Sequence, residues 1–90
     1  METGSEELSA MVVLRLFAAA RDAAGTGRDE VPGATVGAVL EAAQDRYGDA
    51  FTAILGHCQI WCNGVPCAES DAVGEADEVA VLPPVSGGMT

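Results

Sequence analysis

Four places in this chain hold residue types that could carry chemistry. The first is the end, Pro83-Pro84-Val85-Ser86-Gly87-Gly88. A double glycine orders at an entropic cost and has no side chain to pack, so it is poor building material. It suits a backbone that must pass through a channel too narrow for any Cβ. The two prolines remove ladder donors and stiffen the exit toward polyproline geometry. At about 3.1–3.5 Å per residue, such an arm reaches roughly 18–20 Å from the body. The second place is His57, Cys58, Cys62 and Cys67. Three thiols and an imidazole invite a zinc reading, but the paired C-x2-C knuckles of structural sites are missing. A Cys/His nucleophile pair is disfavoured as well, because adjacent strand residues point to opposite faces. Free cysteines, buried or half-buried, are the expectation. Gly25-Thr26-Gly27 lacks the following Gly-Lys-Ser/Thr of a phosphate loop. The acids from Asp71 to Glu78 lack the ligand alternation of a calcium loop and read as a solvated turn. No catalytic set and no metal site emerge.

The elements that must position the arm are legible from pattern. Met11 to Phe17 is β-branched and apolar, a strand with Val12, Leu14 and Leu16 toward the core and Val13, Arg15 and Phe17 on the other face. Ala18 to Ala24 reads as a loop-like connection before Gly25, followed by a short strand from Arg28 to Val31. Thr35 then caps a helix whose apolar face is Val36, Val39, Leu40, Ala43 and Tyr47, with Gly48 as the stop. Asp49 to Leu55 adds a helical turn. Gln59 to Cys62 is a strand entering an Asn63-Gly64 turn, with Val65-Pro66-Cys67 returning. Glu78 to Leu82 is the last strand, ended by the prolines. One helix across a small mixed sheet is the economical α+β packing. The expected organisation is an acidic, disordered extension over residues 1–10, a folded domain over 11–82, and an extended tail over 83–90.

Size and charge narrow the partners. Ninety residues with 49% hydrophobic content make one folded domain. Fourteen acids against four arginines, with no lysine, give a net charge of −10. Phosphate backbones require a basic surface, so nucleic acid is excluded as a partner. An acidic body either steers a basic protein partner or simply confers solubility. The acidic start, the absence of a long apolar run and the odd cysteine count point to the cytoplasm, with no membrane association.

Over residues 11–88 the chain resembles the ubiquitin-like sulfur carriers of the MoaD/ThiS type, above all the small subunits of molybdopterin synthases. The resemblance rests on Phe17-Ala18-x-x-Arg21-Asp22-x-x-Gly25 after the first strand, Ala34-Thr35-Val36 into the helix, Asn63-Gly64, and the closing run from Gly74 through Asp77-Glu78-Val79 to Pro83-Pro84-Val85-Ser86-Gly87-Gly88. It implies a β-grasp fold with the first and last strands parallel at the sheet centre. It implies that Gly88 is the modified residue, first as an acyl-adenylate and then as a thiocarboxylate. Pro83, Pro84, Val85, Ser86, Gly87 and Gly88 are then the recognised tail. The implied partners are an adenylating enzyme of ubiquitin-activating type, which uses ATP, a persulfide sulfur donor and the large synthase subunit. The chain itself binds no cofactor and acts as a cosubstrate, supplying a good nucleophile at high effective concentration.

Strand alternation places Phe17 and Leu82 together outside the core, beside the arm's root. With Arg21 and nearby acids at the rim, they read as the partner interface, unless a loop covers them. Trp61 fits either face of its strand. Met89 and Thr90 depart from the family pattern, because Gly88 has no free carboxylate while they remain. They are removed by a protease (a metalloprotease is one candidate), were added in expression, or leave the chain inactive. Alternative readings are a carrier for cysteine, thiamin or secondary-metabolite sulfur, a protein modifier joined through Gly88, and an interaction domain that kept only the fold.

Overall fold

The computed structural model describes residues 11–84. Within that span the elements run β1 (Met11–Leu16), α1 (Ala18–Ala24), β2 (Arg28–Pro32), α2 (Val36–Tyr47), α3 (Asp49–Leu55), β3 (Gln59–Cys62), β4 (Val65–Pro66) and β5 (Glu78–Leu82). The strands form one mixed sheet in the order β2-β1-β5-β3-β4. β1 and β5 are parallel neighbours at its centre, with Leu14 opposite Val79 and Leu16 opposite Val81. All other pairings are antiparallel. This is the β-grasp arrangement.

The alternation read from sequence decides which sheet face is covered. Val12, Leu14 and Leu16 of β1, Val31 of β2 and Val79 and Val81 of β5 are buried. They meet Val36, Val39, Leu40 and Ala43 of α2, Ala20 of α1 and Phe51 of α3 in one cluster. Tyr47 lies edge-on to Phe51 at 5.2 Å between ring centroids, which fixes α3 against α2. Among the described residues, the other sheet face carries no helix.

α2 is held at both ends. The Thr35 hydroxyl accepts a hydrogen bond from the Ala38 amide. The amides of Val36 and Gly37 donate to the carbonyls of Asp71 and Glu69, so the 69–71 loop satisfies helix donors that would otherwise be orphaned. Just before the cap, Gly33 passes so close to the helix that a Cβ there would lie 2.7 Å from Val39 Cγ2 and 2.8 Å from the Val39 amide nitrogen. At the far end, the Tyr47 hydroxyl donates to Asp29 on β2, and Arg46 pairs with the same carboxylate at 2.9 Å. Those contacts hold Asp29 below the usual carboxylate range, the Tyr47 bond most of all, while burial and then the hydrogen bond to Asp29 push the Tyr47 phenol up.

Two expectations need correction. The Ala18–Ala24 segment is a helix rather than a loop. Seven residues are marginal in isolation, but alanine propensity suffices once Ala20 is fully buried against the core. The cysteines are not all free: Cys62 and Cys67 are joined in a disulfide, leaving Cys58 as the free thiol. The Asn63-Gly64 turn, with φ of 52° and 88°, has the double left-handed geometry of a two-residue hairpin and folds β4 back on β3. That brings the two Cα atoms to 5.7 Å, a separation a disulfide spans readily.

Candidate functional site

β5 is the element that aims the tail. It is paired on both sides, by β1 along Val13–Leu16 and by β3 along Gln59–Cys62. The β1–β5 ladder reaches one step beyond β1, where the Phe17 amide donates to the Val81 carbonyl at 3.3 Å. The last residue of β5, Leu82, is therefore held before Pro83 and Pro84 begin the tail, Pro83 half-buried and Pro84 exposed. Val85, Ser86, Gly87 and Gly88 lie outside the described residues, as do the 1–10 extension and Met89 and Thr90.

Register shows what surrounds that root. Leu82 pairs with Gln59 and Ala80 with Trp61. Directly opposite residues share a sheet face, so Gln59, Trp61, Ala80 and Leu82 lie together on the helix-free side. The Trp61 indole N–H donates to the Gln59 side-chain oxygen at 3.3 Å, consistent with this placement. Phe17 continues the same face of β1, one step past the Leu16–Val81 pair. It is 38% exposed, and only Val65 on the β4 edge joins it as a large exposed hydrophobic among the described residues. Phe17 and Leu82 thus share an apolar strip with Trp61, which sequence alone left unassigned. Parity within β3 could not reveal this; its pairing with β5 does.

Arg21 lies on α1 facing a cleft of about 550 Å³ lined by Arg15, Phe17, Arg21, Thr26, Gly27 and Arg28. Three of the chain's four arginines therefore gather at one corner of an otherwise acidic protein. Arg15 stacks 5.6 Å from the Phe17 ring centroid and also pairs with Glu78 at 3.0 Å. Arg28 reaches Glu30 at 3.8 Å. Arg21 has no carboxylate partner among the described residues. The sequence pattern singled out Arg21 but missed Arg15 and Arg28, because only the β1–β2 register sets those two opposite each other. Such a corner can receive an acidic group of a docking protein beside the apolar strip, whereas most of the surface favours a basic one.

The described residues contain no group of three or more His, Cys, Asp and Glu side chains able to hold a metal ion. The disulfide also withdraws two thiols from any zinc set. No helix among them is long and apolar enough to cross a membrane.

The ThiS family model matches residues 14–88, from the first strand through the double glycine. The chain belongs to the ThiS family. Solved structures place this ThiS-family domain among ubiquitin-like sulfur carriers. The crystal structure of SAMP1 from Haloferax volcanii shares 31% identity with it, covering 87% of this chain and 99% of that one at a TM-score of 0.78. The small archaeal modifier protein 1 from Methanosarcina acetivorans shares 30%, covering 91% and 100% at 0.80. A putative molybdopterin converting factor subunit 1 from Pyrococcus furiosus shares 26%, covering 86% and 100% at 0.76. No curated protein matches significantly.

Proposed function

We propose that this chain is a sulfur carrier whose Gly88, freed by removal of Met89 and Thr90, is converted to a thiocarboxylate that donates sulfur in molybdopterin synthesis. The observation that carries the proposal is the family match extending through Gly88, together with β5 as a doubly paired strand that ends at the tail. Similarity to a putative molybdopterin converting factor subunit favours this pathway.

In the chemistry proposed, an adenylating partner joins the Gly88 carboxylate to the AMP moiety of ATP and releases pyrophosphate. The terminal sulfur of a persulfide displaces AMP to give an acyl disulfide. A thiol then attacks the donor's sulfur of that bond, taking up the donor as a mixed disulfide and leaving the thiocarboxylate on Gly88. The thiocarboxylate sulfur attacks a carbon of the acceptor and displaces its leaving group; water then attacks the acyl carbon, breaking the acyl–sulfur bond, leaving the sulfur on the acceptor and regenerating the Gly88 carboxylate. This chain's residues supply position: the apolar strip of Phe17, Leu82 and Trp61 docks the body on the large synthase subunit, and the cleft at Arg21 accepts an acidic group of that partner. The narrow tail enters the partner's channel.

A second reading, covalent attachment of Gly88 to lysines of other proteins, is favoured by the somewhat higher identity to the two small archaeal modifier proteins. One experiment separates them. The chain ending at Gly88 is incubated with the adenylating enzyme, ATP and a persulfide donor, and its intact mass is measured. Replacement of one oxygen by sulfur, followed by sulfur delivery to the pterin precursor with the large subunit, supports the carrier. Isopeptide adducts without that delivery support the modifier. A chain ending at Gly88 that is never adenylated overturns both.

A further inference from the structure

We infer that Cys62 and Cys67 form a reversible redox site, a dithiol that exchanges with small disulfides while the protein stays folded. The inference stands on the β3–β4 hairpin and is independent of the tail's chemistry.

Three observations carry it. First, the two residues are brought together by the backbone rather than by their bond. The Asn63-Gly64 turn, the Cys62–Val65 pair and the Cys67 amide donating to the Ile60 carbonyl at 3.1 Å set both on one face of the hairpin. A reduced hairpin keeps the two sulfurs facing each other, which makes closure intramolecular and fast.

Second, the fold accommodates the open state. Cys67 Sγ lies 3.6 Å from the Ile60 carbonyl oxygen, an acceptor ready for the reduced thiol. The third cysteine is engaged elsewhere. Cys58 donates its thiol to the Ile54 carbonyl at 3.2 Å, and burial pushes that thiol up, keeping it protonated. Four residues of extended chain also separate it from Cys62 by roughly 13 Å, beyond the ~7 Å over which two Cα atoms can be bridged.

Third, the bond falls where the sheet is weakest. β4 has two residues, both exposed, and Pro66 opposite Trp61 has no amide to donate. Closing or opening one covalent link therefore decides how firmly this edge is held. Trp61, on the docking strip, sits on the same hairpin.

The exchange balances without a further reagent. One of the two thiolates attacks a low-molecular-weight disulfide, forming a mixed disulfide and releasing one small thiol. The other thiolate then attacks the protein sulfur of that mixed disulfide, forming the Cys62–Cys67 bond and releasing the second. Two electrons pass from the protein dithiol to the small disulfide, and each small thiolate takes up a proton.

The test uses the full chain, reduced in native buffer, freed of reductant, and incubated with glutathione disulfide. Samples are quenched in acid, alkylated in denaturant, and their intact and peptide masses read. The oxidised protein is expected to take one label, on Cys58, and to be two hydrogens lighter before labelling. Native treatment with dithiothreitol is expected to restore three labels, through repeated cycles. On oxidation, exchange of the Cys67 amide should slow by about tenfold or more, because local opening of the hairpin is restrained. The C58S variant should cycle unchanged, whereas C67S should stop at a glutathione adduct. Three labels after oxidation, a bond that includes Cys58, or a Cys62–Cys67 bond that opens only after denaturation would each overturn the inference.

Discussion

Replacing Phe17 by alanine should weaken docking of the carrier without loosening its fold. Phe17 is 38% exposed, and a phenylalanine presents on the order of 200 Å² when fully accessible, so a partner can cover about 75 Å² there. At about 25 cal/mol per Å², that loss is worth ~2 kcal/mol, or roughly a 25-fold rise in Kd. The fold should tolerate the change, because Phe17 is outside the core cluster and its role at the start of α1 is played by backbone atoms. The assay is calorimetric titration of the large synthase subunit with the chain ending at Gly88, alongside urea unfolding of both forms. Val65→Ala is the control. Val65 is more exposed, at 59%, but lies on β4, with β3 between it and the tail-bearing strand. It should change Kd less than twofold. A Kd for Phe17→Ala within twofold of the parent, or equal losses at Phe17 and Val65, would refute the docking strip.

Further outcomes follow from the packing. Gly33→Ala should cost about 1–3 kcal/mol, since the new methyl meets the Val39 amide as well as its side chain and the helix cannot retreat from its buried face. Gly56→Ala, in open space at a φ of −62°, should instead stabilise by about 0.4–1 kcal/mol. Urea midpoints that move in the same direction for both would contradict the geometry. Thr35→Ala removes the cap bond to the Ala38 amide and should cost about 1 kcal/mol, read from the same denaturation curves. Asp29 has a folded pKa below its unfolded value, so its contribution is complete above about pH 4 and is lost as acid protonates the folded carboxylate. Tyr47→Phe, which removes its largest stabilising contact, should flatten the stability-versus-pH curve below about pH 4. An unchanged slope there would remove the Tyr47–Asp29 bond from the account.

Much of the fold was readable because its signals are local. The Val12-Leu14-Leu16 alternation, the Thr35 cap and the Asn63-Gly64 turn each act within a few residues, and each appears where expected. The parallel β1–β5 centre came from family resemblance rather than from pattern, since no local feature fixes which strands become neighbours. The two misreadings and the unassigned face of Trp61 share one cause. α1 owes its existence to the burial of Ala20, the Cys62–Cys67 bond to the folding back of β4, and the face of Trp61 to its pairing with Ala80. All three are tertiary facts written in no single stretch of chain. The same holds for the arginine corner, where Arg15 and Arg28 are thirteen positions apart in sequence and paired in register. Phe17 and Leu82 are placed on the helix-free face by sequence alone because Phe17 follows and Leu82 ends a strand whose alternation is clear and whose end is marked, by the small residues after Phe17 and by the prolines after Leu82.

The central position of β5 also has a mechanical meaning. A pull applied at the tail loads the ladders to β1 and β3 together, with four register pairs on each side. Because the pull runs along the strand, those bonds are sheared in parallel rather than opened one at a time from an edge. Forced extraction is governed by the unfolding barrier rather than by equilibrium stability. A load applied where the chain leaves Leu82 is therefore spread across the middle of the sheet. The weak β4 edge lies off that line of force, free to open and close while the carrier is being handled.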